Sequence, residues 1–336
     1  MYGGAHLYVR HLPQKLAEKA LVSLDAFGAD VAQFATTVGS SDPQVAVRVR
    51  RKLSQAAVES LCIDFEDGYG QRSDEEEDAE ATRAAGELRR AGEDSSTRVG
   101  IRIKSFAAHT RARAERTLDL FLDALGTPPP GFTVTLPKVT SPAEVEALSK
   151  KIPSIDLELM IETPAALLAP RALVDAGRVV AVHLGAYDLT AELGVTARDQ
   201  SLAHPYNELA RMMLKLHLPD IGVSDGATTL MPVGSLEDVH RAWALHASNI
   251  RNAIKVGIWQ GWDLHPAQLP ARWGAVFATF LDGRDTMAKR LVAFRAKKEQ
   301  ASRVGQEFDD MATARAIEAF FERGVACGAF ESNEVP

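Results

Sequence analysis

The sequence is poor in cysteine, in long apolar runs and in net positive charge. Two cysteines among 336 residues are too few for a metal-binding cysteine cluster. No apolar run approaches the ~20 residues that a membrane span needs. The net charge of −7 argues against a nucleic-acid partner. Residues 1–6 lack the basic and apolar regions of a secretory signal, so we expect a cytoplasmic protein without membrane or nucleic-acid partners.

The sequence does contain a regular alternation of short apolar runs and helical segments. The runs that predict strands are residues 5–9, 61–65, 99–103, 132–136, 157–161, 179–184, 220–226 and 257–266. Eight strands that alternate with helices predict a (β/α)8 TIM barrel, a fold that typically takes ~250 residues. We assign this catalytic barrel to residues 1–280. Residues 281–336 predict a C-terminal helical extension that packs on the barrel or on a neighbouring subunit.

Two acidic residues, Glu162 and Asp188, follow neighbouring predicted strands. Parallel barrels place their chemistry at the C-terminal ends of the strands. Two carboxylates without histidine or cysteine partners favour Mg²⁺, with Mn²⁺ as the second choice, over zinc. The alternative is that both acids cap the helices that follow them.

Charged residues also follow most of the other predicted strands. They are Asp64, Glu66, Asp67, Arg102, Lys138, Asp225 and His265. An arginine opposite a metal would stabilise the oxyanion of a 2-oxo acid or its enolate, although Arg102 can instead form an ion pair with Asp64 or Glu66. Lys138 is either a surface strand end or a contact for a substrate carboxylate.

Three features near the strands have plain structural explanations. Cys62 lies inside a predicted buried strand, where we expect a reduced core thiol. Trp259 and Trp262 either pack the barrel floor or wall a pocket, and we expect packing. His6 and His265 are the remaining histidines near barrel ends, and we expect both to be structural.

Six motifs, in order along the chain, resemble the HpcH/HpaI aldolase and citrate lyase β-subunit family. They occupy residues 61–68, 101–104, 136–139, 161–163, 184–189 and 265–268. The first resembles the Asp-Leu-Glu-Asp motif of that family, and the second resembles its arginine strand. The resemblance covers nearly the whole chain.

The resemblance implies a magnesium-dependent barrel of the phosphoenolpyruvate/pyruvate type. Such an enzyme is a carbon–carbon lyase or aldolase that acts on 2-oxo or hydroxy acids through a metal-stabilised enolate. It implies that Glu162 and Asp188 bind the metal and that Arg102 binds the carboxylate or carbonyl oxygen of the substrate. It also implies that Asp64 and Glu66 organise the surroundings of the metal and the arginine.

The resemblance is less direct for the other substrate contacts and for the general base. Asp67 stands where class II 2-oxo acid aldolases carry a histidine, and we group it with Lys138 as substrate-binding. Residues 305–309 resemble the Gly-x-Met-x-Asp pattern of malyl-CoA lyases, with Glu307 in place of methionine. Asp309 is therefore the candidate base, which family members often receive from a neighbouring subunit. The alternative for Asp309 is an N-cap of the helix beginning at Met311.

Two further functions remain open. One is a lyase for acyl-CoA thioesters of the malyl-CoA or citryl-CoA type, although no clear basic cluster for the phosphates of coenzyme A is present. The other is a non-catalytic subunit of a larger lyase complex. The family and the helical extension together predict a homo-oligomer.

Overall fold

A computed structural model of the chain describes residues 1–91, 97–296, 302–304 and 307–336, with the backbone alone for 302–304 and 307–309. The chain divides into two compact units. The barrel unit comprises Met1–Lys19, Ala56–Met231 and Asn252–Pro266. The helical unit comprises Ala20–Gln55, Pro232–Arg251 and Ala267–Pro336.

In the barrel unit, eight parallel strands follow one another in chain order and form a nearly closed barrel. These strands are β1 (Tyr2–Gly4), β2 (Ser60–Asp64), β3 (Arg98–Arg102), β4 (Thr133–Leu136), β5 (Asp156–Ile161), β6 (Val179–Leu184), β7 (Gly222–Ala227) and β8 (Gln260–Trp262). Parallel neighbours need long crossover connections, and helices supply them here. The predicted (β/α)8 TIM barrel is confirmed.

Helices lie between the strands and after the last of them. They are α1 (Leu12–Phe27), α2 (Val31–Val38), α3 (Gln44–Ala56), α4 (Asp74–Ala91), α5 (Arg111–Leu125), α6 (Pro142–Lys151), α7 (Pro164–Leu168), α8 (Pro170–Asp175), α9 (Ala186–Glu192), α10 (Pro205–His217), α11 (Leu236–Lys255), α12 (Leu269–Ala296) and α13 (Met311–Cys327). Ser141 and Glu144 form a capping box at the start of α6. Within the described residues we find no helix with the length and apolarity to cross a membrane.

The first strand lies earlier than the sequence pattern predicts. Residues 5–9 were expected to form it, but β1 is Tyr2–Gly4, which pairs with β2, and a 3₁₀ turn follows at Ala5–Leu7. A Cβ on Gly4 would lie 2.2 Å from the carbonyl oxygen of Gly68, so only glycine fits there. The apolar pattern of residues 5–9 instead reflects burial of Ala5 and Tyr8 in the turn.

Polar and aromatic side chains from five strands interact with one another in the barrel unit. The hydroxyl of Thr135 donates to Glu158 Oε2 (3.1 Å), and His183 Nε2 lies 3.1 Å from the same oxygen. Trp262 Nε1 donates to His183 Nδ1 (3.1 Å), which leaves the ring proton of His183 on Nε2. Tyr2 stacks on Trp262 with ring centroids 3.8 Å apart, so side chains join β1 to β8.

The helical unit has a core of its own, which includes a cluster of phenylalanines. Phe280 of α12 packs against Phe320 of α13 and against Phe330, with ring centroids 5.1 and 5.7 Å apart. Arg48 donates to the carbonyl oxygen of Ala329 (2.7 Å) and so holds the chain after α13. The predicted helical C-terminal region is confirmed, while the boundary proposed after residue 280 falls inside α12. The short strands β9 (Ser302–Val304) and β10 (Glu307–Asp309) pair antiparallel in this unit.

Candidate metal and substrate site

Most of the charged residues predicted for the site lie where the parallel strands of the barrel finish. They are Asp64 at the end of β2, Glu66 and Asp67 just after it, Arg102 at the end of β3, Lys138 after β4, Glu162 after β5 and Asp188 in the first turn of α9. Five carboxylates and two cations give this group of residues an excess of negative charge. Such a group attracts cations.

Arg102 forms a two-pronged ion pair with Asp64. Its Nε donates to Asp64 Oδ1 (2.7 Å) and its Nη2 to Oδ2 (2.6 Å), and the guanidinium is almost fully buried. The remaining nitrogen, Nη1, lies 3.1 Å from Glu66 Oε2 and 3.6 Å from Asp67 Oδ2. Burial alone would lower the pKa of Arg102, but Asp64 and Glu66 raise it, so the guanidinium stays charged. The ion pair expected as one alternative is therefore present with both acids.

Lys138 links the acids that follow β2 to Asp188. Its ammonium group contacts Glu66 and lies 3.4 Å from Asp67 Oδ1 and 3.9 Å from Asp188 Oδ1. Burial opposes the charge of Lys138, yet these acids raise its pKa above the ordinary value. Burial raises the pKa of Glu66, whereas Arg102 and Lys138 lower that of Asp67 in spite of its partial burial.

Glu162 is the most unusual acid of the group. Its Oε1 accepts a hydrogen bond from the backbone N–H of Lys138 (2.6 Å). Its Oε2 is buried and has no hydrogen-bond partner. Burial, with the nearby charge of Asp188 second, raises the pKa of Glu162 to about 8. An unpaired oxygen of a buried carboxylate is costly, and it is the kind of atom that a metal ion satisfies.

Glycines make room for two of these carboxylates. A Cβ on Gly185 would lie 2.3 Å from Glu162 Cβ and 2.5 Å from its Oε2. A Cβ on Gly68 would lie 2.6 Å from Asp64 Oδ2. Where the backbone must approach a functional group this closely, only glycine fits, because any other residue would add a Cβ.

The helix-cap alternatives for the two predicted metal ligands do not hold. The N-cap of α7 is Thr163, whose hydroxyl accepts from the N–H of Ala166 (3.1 Å), so Glu162 does not cap that helix. The N-cap of α9 is Gly185, and Asp188 lies inside the first turn. Neither carboxylate therefore has its position explained by a cap.

One family model covers the whole chain. The family described as "Domain of unknown function (DUF6986)" matches residues 1–336. The chain belongs to this family. No curated protein matches it.

Solved structures with a similar fold include citrate lyase proteins. A citrate lyase from Burkholderia xenovorans LB400 has a TM-score of 0.64 and 21% identity, over 88% of this chain and 92% of the other. CitE from Mycobacterium tuberculosis, in complex with magnesium, acetoacetate and coenzyme A, has a TM-score of 0.58 and 22% identity, over 82% of this chain and 94% of the other. At these identities the likeness shows the fold of this DUF6986 protein. These neighbours come from the group that the six motifs resemble.

The residues present fit a hard divalent cation. Glu162 Oε2 and the half-exposed carboxylate of Asp188 are oxygen donors of the kind that Mg²⁺ prefers. Histidine and cysteine, which zinc sites use, do not belong to this group. A cation bound by both acids would offset the burial and the repulsion from Asp188 that together raise the pKa of Glu162.

One predicted member of this end of the barrel, Asp225, pairs with a buried arginine instead. Asp225 of β7 is buried and accepts from Arg211 Nε (2.9 Å) on α10, so the expectation that it joins the site is wrong. Burial lowers the pKa of the half-buried His265, and Lys19 adds to the effect. His6 is exposed and rests against Tyr69 (5.8 Å between ring centroids).

Asp309 is the last residue of β10, and the structure describes its backbone but not its side chain. The N-cap of α13 is Asp310, whose Oδ1 accepts from the N–H groups of Ala312 (3.0 Å) and Thr313 (2.9 Å). The capping alternative therefore applies to Asp310. The base role of Asp309 stays a prediction.

The sequence interpretation missed residues beside Arg102. The ring centroids of Tyr2 and Trp262 lie 5.2 and 5.5 Å from the guanidinium carbon of Arg102. Trp262 therefore packs inside the barrel unit and also borders Arg102. A signal for Glu158 was available, because Glu158 lies in β5 four residues before Glu162, a spacing that places both on the same face of an extended chain. Cys62 is buried with a free thiol, as expected.

Proposed function

We propose that this chain is a magnesium-dependent carbon–carbon lyase that acts next to the carbonyl group of a 2-oxo or hydroxy acid. The observation that supports it most is Glu162 Oε2, a buried carboxylate oxygen without a hydrogen-bond partner, close to the charge of Asp188. Breaking a bond next to a carbonyl places negative charge on the carbonyl oxygen. Fixed positive charge at that oxygen lowers the barrier.

Glu162 and Asp188 are the proposed ligands of the cation. A cation bound there would act as a Lewis acid on the carbonyl oxygen of the substrate. The N–H of Lys138 holds the other oxygen of Glu162, so the carboxylate is oriented before any ligand arrives. Mg²⁺ is the first candidate and Mn²⁺ the second.

Arg102 and Lys138 are the proposed anchors for the substrate carboxylate. Both cations meet Glu66 and Asp67, and the side chain of Asp67 is 60% exposed. A substrate carboxylate would reach Arg102 Nη1 by replacing Asp67. Asp64 keeps the other edge of the guanidinium fixed during this exchange.

Asp309 is the proposed general base, contributed by the C-terminal extension. We expect Asp309→Asn to lower kcat about 10²- to 10⁴-fold and to leave the affinity for Mg²⁺ unchanged. An unchanged kcat would assign the base to another residue. We also propose that the protein is cytoplasmic and forms a homo-oligomer. Light scattering of the purified chain tests the oligomeric state.

A coenzyme A thioester is the second candidate substrate, because the fold neighbour CitE is described in complex with acetoacetate and coenzyme A. Calorimetric titration with pyruvate and with acetyl-CoA, each with Mg²⁺, separates the two. Binding of pyruvate alone supports the oxo acid, and binding of acetyl-CoA alone supports the thioester. No turnover of oxo acids, hydroxy acids or their thioesters by the purified chain would instead favour a non-catalytic subunit.

A further inference from the structure

Lys138 has a backbone conformation that its side chain does not favour. Its φ angle is 51°, and among the described residues no other non-glycine residue has a positive φ. The left-handed region brings Cβ close to the following carbonyl oxygen. Such residues persist only where their surroundings hold them, and they cluster at functional sites.

In its left-handed conformation, the main chain of Lys138 contacts Glu162. Strand β4 ends at Leu136, and Lys138 follows Pro137. At this point the N–H of Lys138 donates to Glu162 Oε1 at 2.6 Å, a short hydrogen bond. The contact joins the chain after β4 to the chain after β5.

The contact determines which oxygen of Glu162 is free. Oε1 is held by Lys138, while Oε2 is buried without a hydrogen-bond partner. Gly185 has no Cβ to fill the space beside Oε2, where such an atom would lie only 2.5 Å away. One oxygen is therefore fixed, and the other lies buried beside Gly185 without a hydrogen-bond partner.

We propose that Lys138 is a positioning residue for the metal site, and that its left-handed main chain, rather than its ammonium group, fixes Glu162 so that Oε2 is presented to the cation. The proposal rests on the metal site proposed above. It gives the main chain and the side chain of Lys138 different roles, because the ammonium group pairs with Glu66 and Asp67 and the main-chain N–H with Glu162.

Four substitutions at position 138 separate the main chain from the side chain. Lys138→Gly, Lys138→Asn, Lys138→Ala and Lys138→Val all remove the ammonium group. Glycine adopts a positive φ freely, asparagine does so more readily than most residues, alanine less readily, and β-branched valine least. The four variants control for one another, because all lack the ammonium group and they differ in how readily residue 138 adopts a positive φ.

The readout is the affinity of the full chain for Mn²⁺, measured by calorimetry without substrate. We expect the Gly and Asn variants to bind Mn²⁺ with similar affinity. We expect the Ala variant to bind about tenfold more weakly than the Gly variant, and the Val variant more weakly still. Equal affinities across the four variants would overturn the proposal.

A second measurement does not depend on the folding of the Val variant. In the wild type labelled with ¹⁵N-lysine, the amide signal of Lys138 is the one missing from the spectrum of Lys138→Gly. Above about pH 8, where Glu162 is ionised, we expect its proton to lie downfield and to move upfield in Glu162→Gln, because a neutral acceptor makes a weaker hydrogen bond. No change of this signal in Glu162→Gln would overturn the contact on which the proposal depends.

The two proposals fail in different ways. A wild type that binds neither Mg²⁺ nor Mn²⁺ would overturn the proposed function, and the role of Lys138 with it. A wild type that binds Mn²⁺, together with equal affinities in the position-138 series, would overturn the role of Lys138 alone.

Discussion

Two buried carboxylates of the barrel strands, Glu162 and Asp225, have opposite surroundings. Both are almost inaccessible to solvent. Asp225 in β7 accepts two hydrogen bonds from Arg211, at 2.9 and 3.1 Å, one on each oxygen. Glu162 after β5 accepts a single bond from the N–H of Lys138, and its Oε2 has no partner.

The difference separates a structural acid from a candidate ligand-binding acid. The charge of Asp225 is matched by the buried guanidinium of Arg211, with which it forms a two-pronged ion pair. The charge of Glu162 is opposed by burial and by Asp188, which raises its pKa to about 8. A group kept in such unfavourable surroundings at the end of a barrel strand is a candidate functional group.

The largest expected effect is on the structural acid. Asp225→Asn removes the buried counterion of Arg211 and leaves it only the more exposed Glu208, so we expect the free energy of unfolding to fall by about 3 kcal/mol. Urea denaturation measures this value. Affinity for Mg²⁺ in the folded variant should stay at the wild-type level. A loss below about 1 kcal/mol would show that the pair does not have the structural role assigned to it.

Glu162→Gln should weaken Mg²⁺ binding and leave the stability of the metal-free protein intact, the converse of Asp225→Asn. We expect affinity for Mg²⁺ to fall at least about 100-fold, because a hard cation loses a charged oxygen ligand. The metal-free free energy of unfolding should not fall, since the replaced carboxylate is destabilised by burial. Calorimetry and urea denaturation measure the two quantities, with Asp225→Asn as the matched control. Full Mg²⁺ affinity in Glu162→Gln would exclude this residue as a ligand.

Gly185→Ala tests the space beside Glu162. The new Cβ would lie 2.3 Å from Glu162 Cβ, so the carboxylate must move. We expect about tenfold weaker binding of Mg²⁺ and a loss of about 1–3 kcal/mol in stability. Gly3→Ala is the control, because its Cβ would meet no atom within 4 Å. Equal effects of the two substitutions would mean that Gly185 does not shape the site.

The raised pKa of Glu162 predicts the dependence on pH. Because its pKa is about 8 instead of 4.5, the folded protein holds a proton that the unfolded chain releases above pH 4.5. The metal-free protein should therefore lose stability as pH rises from about 4.5 to about 8. Affinity for Mg²⁺ should rise about tenfold per pH unit below 8 and then level off. Neither trend should appear in Glu162→Gln, and a pH-independent wild-type affinity would contradict the assignment.

Much of the fold could be predicted from the sequence because strand and helix patterns are local. Seven of the predicted strands overlap the observed ones, from β2 to β8. The first strand could not be placed because Gly3 and Gly4 give no apolar signal. The place of Gly4 is set by contact with Gly68, more than sixty residues away.

The site could be predicted only in part, because strand ends can be recognised but partners cannot. Glu162 and Asp188 stand out as acids after buried strands. Asp225 has the same local pattern, and its difference lies in Arg211, which arrives from α10. The stacking of Tyr2 on Trp262 likewise joins the two ends of the barrel sequence, where no local pattern indicates contact.

The central claim is that Glu162 and Asp188 hold a divalent cation. Anomalous diffraction from crystals soaked in Mn²⁺ tests it most directly. We expect one strong peak between the two carboxylates, about 2.1 Å from Glu162 Oε2. A peak elsewhere with this position empty, or no peak at saturating Mn²⁺, would contradict the account.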